Sequence, residues 1–503
     1  MSPVNRRTFL EVVGVNAGML GLSRKTLLAA SPTDPQPVRP DLSNTKTMTE
    51  RIADFIVEAN FANIPPQVIQ KAKEQVVYHF GIAFSGWSTK ESQEMREVLR
   101  PIGQPRGATV IAERLRLLPS DAAFANCTLM RSTWRDDVVW PAGIHAGLMT
   151  LPTAFAIGEL KRVSGREILA AIVLGYEVLG KLGRAANSWA APLPRRPTMI
   201  FGSFGPVTVA GRLLGLNSKS MANALGYATN LGMGVPEGGQ MEHFYGLMSR
   251  NATFAAQLAE LGGAPYSKST IEGDTGLYRS FFGELPNALN TLISNLGSGW
   301  EILGAAQKRY PGTSQNTVAT ELFLDLVREQ RLTPNSVTKI DVFISFPEEA
   351  EDRKEELTFR GPFSSWTDAY SSLPYALAVG LVDGKVASER FRDGNLDDPV
   401  VAQLMRKITT VFEEGHGEVR YCRLEVYTTD GRKLVRDSEH SRISENFTFT
   451  FPPSVWADWL QADGKRLLPL EQLQRLEHLI SDLENVDDVS KLMACVFPPA
   501  GSG

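Results

Sequence analysis

Over residues 48–303 the apolar side chains return every three or four positions, a period that suits helices and little else. Ile52, Phe55, Ile56 and Ala59 share one face of a first helix, and Pro65 opens a second with Val68, Ala72, Val76 and Phe80 in register. Ser164-Gly-Arg-Glu167 has the spacing of a capping box, in which the serine accepts from a free amide and the glutamate reaches back. A helix rich in Ala, Gly and Leu is expected from there towards Leu182, with others at 207–214, 221–228 and 252–261. Small side chains let helix backbones approach closely, so these segments point to a multilayer, all-helical domain.

Past 304 the pattern changes. Residues 337–346 alternate around Ile340, Val342 and Ile344 as a half-buried strand does. Strands at 423–427 and 433–435 flank Asp430-Gly431, a hairpin turn because both residues tolerate positive φ. Helices are expected between them, at 372–386 and 400–411, making a smaller α+β domain over 304–440. The segment 441–503 returns to amphipathic helix at 468–483, which could pack back on the first domain. The fold class expected is mainly α, a large all-helical domain plus a smaller α+β domain.

Residues 1–30 read as a secretory signal. Arg6-Arg7-Thr8-Phe9-Leu10 precedes an apolar stretch at 12–22 and then Ala29-Ala30-Ser31, the order of a twin-arginine signal. The apolar run is short and glycine-rich, so no integral membrane segment is expected. Export to the periplasm or extracellular space follows; without the signal the protein would be cytoplasmic. The proline-rich stretch 31–47 is a linker. A formal net charge of −4 gives no basic field for nucleic acid. Cys127, Cys422 and Cys495 lie far apart with no CxxC pair, which argues against a metal ribbon or a disulfide framework and for buried thiols.

Four runs could carry chemistry. The stretch 124–145 begins as helix and ends in a loop, bounded by Pro141 and Gly143, that carries Asp136, Asp137 and His145. Adjacent carboxylates repel, so one can hold a proton, and histidine titrates near neutrality. Read locally, the same residues also fit a helix end followed by a solvated acidic loop. A metal would want a second histidine at ligand spacing, which is missing. In the second run, Arg195, Arg196 and Thr198 precede a glycine-rich helix entry where an anion such as a carboxylate would be favoured. Solvated arginines on a surface loop fit equally well, and the GxGxxG spacing of a dinucleotide site is absent. The third run places His243 beside Gly238-Gly239, ahead of Arg250 on the next helix; it reads as a binding loop or as a packed histidine. The fourth, Lys308-Arg309-Tyr310-Pro311, lies where the two textures meet, a favoured pocket position, though a basic pair in a linker is often just solvated. His79 falls on an apolar helix as a core residue would, and His416, His440 and His478 sit in polar surroundings. No GxSxG elbow is present, and Cys127 has no acid–base partner nearby in sequence.

Taken in order, these runs resemble the MmgE/PrpD family over roughly residues 48–450. The resemblance rests on "FAN…DD…WPA…H", "GREILAAIVLGYEVLGKLGRA", "FGSFGPVTVAGRLLGL", "WEILGAAQKRYP" and "DAYSSLPYALAVGLVDGKV". It implies an α+β lid on the helical domain with the active site between them, a homodimer, no metal or other cofactor, and a small-molecule carboxylate substrate. It also implies lyase or isomerase chemistry by elimination, decarboxylation or isomerisation. His145 falls on the family's loop histidine, Asp136 and Asp137 on its paired aspartates, Lys308 on its lysine before Tyr-Pro, and Tyr375 on the tyrosine closing "SLPY". On this reading His145 and Lys308 carry the chemistry and Asp137 orients His145. Arg196 holds the carboxylate, with Asp136, Thr198, His243, Arg250, Arg309 and Tyr375 as further binding residues.

Several positions depart from the family pattern. Trp134 stands for an aspartate, Val138 for a threonine, Arg196 for a histidine, Met241 for a lysine, and Phe244 and Thr313 for histidines. The pocket is then less cationic and more apolar, and a tricarboxylate would leave charges unpaired at a cost on the order of several kcal/mol. A smaller or more aromatic carboxylate is therefore expected. The alternatives are an unfamiliar reaction such as hydrolysis, or an exported carboxylate-binding protein without catalysis.

Overall fold

Several helices begin where a side chain offers a cap. The computed structural model describes residues 46–187, 197–232, 241–263, 268–345, 354–364, 366–392, 395–413, 421–438 and 453–499, so the expected signal and nearly all of the linker lie outside it. Residues Thr47–Gly503 form one unit. Helix α1 (Met48–Glu58) opens with a full capping box: Glu50 N donates to Thr47 Oγ1 at 3.1 Å and Thr47 N to the Glu50 carboxylate at 3.0 Å. The box expected at Ser164 forms only by half. Glu167 N donates to Ser164 Oγ at 3.3 Å, but the Glu167 carboxylate takes Arg212 at 3.4 Å instead of reaching back.

The helical body contains α2 (Pro66–Gly86), α3 (Lys90–Leu99), α4 (Pro119–Arg131), α5 (Gly147–Lys161), α6 (Gly165–Asn187), α7 (Phe204–Leu214), α8 (Ser218–Ala228) and α9 (Met241–Glu260). Val68, Ala72, Val76 and Phe80 are wholly buried on α2, as their spacing predicts. Helix α4 packs against α2, α5 and α9, while α7 packs against α5, α6 and α9. Small residues make these approaches possible: a Cβ on Gly86 would lie 1.9 Å from the Leu129 carbonyl oxygen, so α2 and α4 touch backbone to backbone.

Two short strands, β1 (Val138–Val139) and β2 (Ala305–Ala306), pair antiparallel and tie the loop after α4 to the segment that leads to Lys308. The smaller α+β part follows. Its strands β3 (Val337–Ile344), β4 (Ile408–Phe412), β5 (Cys422–Thr428) and β6 (Lys433–Asp437) form a sheet in the order β4-β3-β5-β6. Strand β3 runs parallel to β4 and antiparallel to β5, and β5 pairs antiparallel with β6 across the Asp430-Gly431 turn, where Gly431 has φ 87°. Helix α10 (Ser314–Gln330) packs on β5 and β6, and α11 (Leu373–Asp383) on α10 and on α12 (Pro399–Met405). The helix expected at 400–411 therefore ends at Met405, and the β-branched run from Ile408 becomes strand β4.

Helices α13 (Pro453–Gly464) and α14 (Leu470–Ser481) pack back on α2, and α15 (Ser490–Cys495) on α5. The architecture is mainly α with a smaller α+β part, the fold class expected from the sequence. No described helix is long and apolar enough to cross a membrane. All three cysteines are buried free thiols.

Candidate active site

Between the end of α4 and the start of α5 the chain makes a buried loop that gathers charge. Trp134 turns it with φ 53°, strand β1 straightens it, and Gly143 turns it again with φ 65°. Asp136 and Asp137 both have 0% exposure, which overturns the reading of a solvated acidic loop. Successive side chains of extended backbone point to opposite sides, and the two carboxylates do so here. Asp136 accepts from Arg131 Nη1 at 2.7 Å, and its other oxygen lies 2.5 Å from His145 Nδ1. Asp137 accepts from Gly147 N at 3.0 Å and from the Tyr176 hydroxyl at 2.7 Å, and lies 3.4 Å from His79 Nε2.

His145 Nδ1 also lies 2.8 Å from the Asp137 backbone carbonyl oxygen. Both neighbours of Nδ1 accept, so this nitrogen carries the proton in the neutral ring and Nε2 presents a lone pair. The side chain keeps 20% of its exposure. Thr198 Oγ1 accepts from the His145 amide at 3.1 Å and so fixes the backbone beneath the ring.

Burial alone would push the Asp136 carboxyl up, but the charges of Arg131, Lys308 and His145 outweigh it and hold the group well below the usual carboxylate range. Asp136 is therefore a permanent anion behind the imidazole. Burial, aided by Asp137, pushes the Tyr176 hydroxyl well above its ordinary value, so it remains a donor.

Lys308 is buried and donates to the carbonyls of Trp134 at 3.1 Å and Gly312 at 3.3 Å. Its amide and carbonyl both bond the Tyr78 hydroxyl, at 2.9 and 3.1 Å. The Arg131 guanidinium lies 4.3 Å from the Trp134 ring centre and 5.0 Å from that of Tyr245, whose ring is 6.4 Å from His145.

Of the residues singled out from the sequence, the structure brings His145, Asp136, Asp137, Thr198 and Lys308 to this loop. It corrects the assignment that Asp137 orients His145: the Asp136 carboxylate does so, and Asp137 contributes its carbonyl. His243 is on the first turn of α9 and not on a loop, with Nε2 3.1 Å from the Glu91 carbonyl oxygen on α3. Arg250, two turns further along α9, pairs with Asp121 at 2.5 Å at the start of α4, the end far from Arg131. Arg309 pairs with Glu321 at 2.9 Å on α10. The Tyr375 hydroxyl donates to the Arg390 carbonyl at 3.3 Å, and burial pushes it up to about 12. Its ring meets those of Phe363 and Phe391 edge to face in an aromatic column. Arg196 lies outside the described residues.

Arg131, Tyr245, Tyr176 and His79 are the members that sequence reasoning did not assign. Arg131 stands at the last turn of a helix just before two acids, and that adjacency was the one signal for it. The others arrive from α9, α6 and α2, which no local pattern connects. Among the described residues no group of three or more His, Cys, Asp or Glu side chains is gathered as a metal would need.

The MmgE/PrpD N-terminal domain model matches residues 50–289 and the MmgE/PrpD C-terminal domain model residues 310–445. A cis-aconitate decarboxylase of Aspergillus terreus is 25% identical over 501 residues, covering 92% of this chain and 98% of that protein. The cis-aconitate decarboxylase of Homo sapiens is 23% identical over 476 residues, covering 90% and 95%. A cis-aconitate decarboxylase-like protein of Aspergillus oryzae is 25% identical over 487 residues, covering 89% and 97%.

Asp136→Asn leaves the Arg131 guanidinium buried without its counter-ion, and a loss of about 3–5 kcal/mol is expected in urea unfolding. The depressed carboxyl adds stability that is full above the ordinary carboxylate range, about pH 4, and is lost as pH falls below it. Melting temperatures taken from about pH 5 down to about pH 3 should thus fall more steeply for the wild type than for the variant. Parallel curves would mean that Asp136 is not the anion described.

Proposed function

The chain belongs to the MmgE/PrpD family, and from that premise we propose that it is a lyase or isomerase acting on a small carboxylate, with His145 as its proton-transfer group. The observation that carries this reading is the contact between Asp136 and His145 Nδ1 at 2.5 Å, which leaves Nε2 as the working nitrogen. With Nδ1 held as a donor, Nε2 takes a proton from the carbon beside a substrate carboxylate, and the Asp136 anion stabilises the imidazolium that forms. In an elimination that proton goes to the departing hydroxyl, and in an isomerisation it returns to a neighbouring carbon. In a decarboxylation His145 starts as the imidazolium, its Nε2 protonated from solvent: carbon dioxide leaves, and the carbon that keeps the electron pair takes that proton. The charge of Lys308, near Asp136, favours the electron-rich intermediate in each case.

The relatives' names make cis-aconitate a first candidate. Two features support a less charged substrate. Arg131 is held by Asp136 and Lys308 by two carbonyls, and the indole of Trp134 stands where the family pattern has an acid. A mono- or dicarboxylate with an apolar or aromatic body fits these groups better than three carboxylates do.

A homodimer and export complete the proposal. Leu247, Phe254 and Leu258 on α9, and Leu261 just past its end, are exposed, Phe254 by 54% and Leu261 by 84%. Arg250 pairs with Asp121 and Glu260 with Lys161, which ties α9 to the segments that carry the exposed Leu118 and Leu160. An apolar strip of this kind supports self-association. Arg6-Arg7 and the apolar stretch after it support the twin-arginine route.

In a thermal-shift screen of mono-, di- and tricarboxylates, with hits followed by proton NMR, at least one carboxylate should bind and turn over. His145→Gln should then lower turnover on the order of 10²–10⁴-fold. A hit that binds unchanged would make the protein a carboxylate-binding protein, and no hit at all would sink the functional reading. Sedimentation should give a dimer for the wild type and a monomer for Phe254→Glu; a monomeric wild type removes the homodimer. In a bacterial host, fractionation should find the protein outside the cytoplasm, and Arg6→Lys with Arg7→Lys should retain it inside. Equal distributions would rule out this route.

A further inference from the structure

Behind the loop stands a histidine that this chemistry does not use. His79, on α2, has no solvent exposure. Its Nδ1 lies 2.8 Å from the Gln75 carbonyl oxygen, which can only accept, so Nδ1 carries a proton. Its Nε2 faces Asp137 Oδ1 at 3.4 Å. That carboxylate already accepts the Gly147 amide on the same oxygen and the Tyr176 hydroxyl on the other, as an anion does. A neutral His79 would aim a lone pair at a buried negative charge. A proton on Nε2 turns that repulsion into an ion pair inside a low-dielectric interior. Ionisable groups near the pair include Lys71 and Tyr78 on α2, Tyr176 on α6, and Asp136 and His145 on the loop, and α5 brings the Gly147 amide.

Space as well as charge fixes this contact. A Cβ on Gly147 would lie 2.1 Å from His79 Cε1, 2.2 Å from its Nε2 and 2.5 Å from the Tyr176 hydroxyl. The ring, the carboxylate and the first amide of α5 are therefore packed with no room for a methyl group.

We propose that His79 is a positioning residue: it holds both ring protons and, as the buried counter-ion of Asp137, fixes the peptide whose carbonyl shares the His145 Nδ1–H with the Asp136 carboxylate. Asp137 is then the hinge between two histidines. Its side chain answers to His79 and its carbonyl to His145, so a change at one ring reaches the other through a single residue. Only the catalytic consequence rests on the reading of His145 as the proton-transfer group.

The test is nitrogen NMR of the full chain labelled with 15N-histidine, each of the 6 histidines assigned by substitution. At neutral pH, His79 should show two protonated nitrogens, and His145, once neutral, a single Nδ1–H tautomer. In His79→Leu and in Gly147→Ala, which displaces the ring without touching an ionisable group, the Asp137 carbonyl should withdraw and the His145 Nδ1–H signal should shift, while Asp136 still holds that proton. In His79→Gln, whose amide can donate to Asp137, the wild-type Nδ1–H signal should return. If a carboxylate is turned over, kcat should fall by about 10²-fold in His79→Leu with KM little changed, and recover in His79→Gln. A bare nitrogen on His79 in the wild type would overturn the proposal, as would a folded His79→Leu protein with an unchanged His145 Nδ1–H signal. Should His79→Leu not fold, the wild-type spectrum and the His79→Gln variant decide alone. Absence of turnover would count against the functional reading and leave the spectra to answer for His79.

Discussion

A carboxylate with no solvent exposure keeps its charge only if opposite charge is brought to it, and the structure around Asp136 is arranged to bring it. Arg131 supplies one cation from the last turn of α4, the element just before the loop. Lys308 supplies a second field from a segment far along the chain, and His145 a third contact from the loop itself. These groups meet only when α4 is packed, the β1–β2 ribbon is paired and the loop has made its turns at Trp134 and Gly143. The balance of charge that makes the imidazole useful is thus the balance that lets the loop be buried at all.

The same loop joins the helical body to the α+β part. Lys308 Nζ bonds the Trp134 carbonyl, and the Trp134 ring stacks on Tyr370 at 5.7 Å. From Tyr370 the aromatic contacts continue through Phe391 to Tyr375 and Phe363. Trp134 stands where an acid is expected from the family pattern. Its indole supplies a cation–π partner for Arg131 and the first ring of that column, so one substitution removes a charge and adds a packing surface. Tyr375 is correspondingly part of a structural column rather than a group facing His145.

Much of the fold was legible from local pattern. The positions Val68, Ala72, Val76 and Phe80 marked the buried face of α2 because helical period and burial go together, and Asp430-Gly431 marked the hairpin because few other pairs tolerate that turn. Residues 400–411 were harder. An apolar stretch of that length fits helix or strand, and pairing of Ile408–Phe412 with β3 decided it in tertiary contact. For the site, the local pattern of two aspartates and a histidine beside Pro and Gly fitted a solvated loop as well, and the family resemblance singled them out. It misassigned the carboxylate that serves His145, because adjacent residues in extended backbone face opposite ways and the sequence does not say which way is in.

By itself, then, the sequence determined the helical body, the change to α+β past residue 304, and the loop where charge would gather. Those follow from period, turn chemistry and composition, all of which act over a few residues. Only the tertiary structure decided that both aspartates are buried, that Arg131 and Lys308 share one of them, and that His79 from α2 faces the other. It also turned Arg250, Arg309 and His243 to other partners. The physical reason is that a buried charge is tolerated only through groups that converge in space, and those groups come here from helices far apart along the chain.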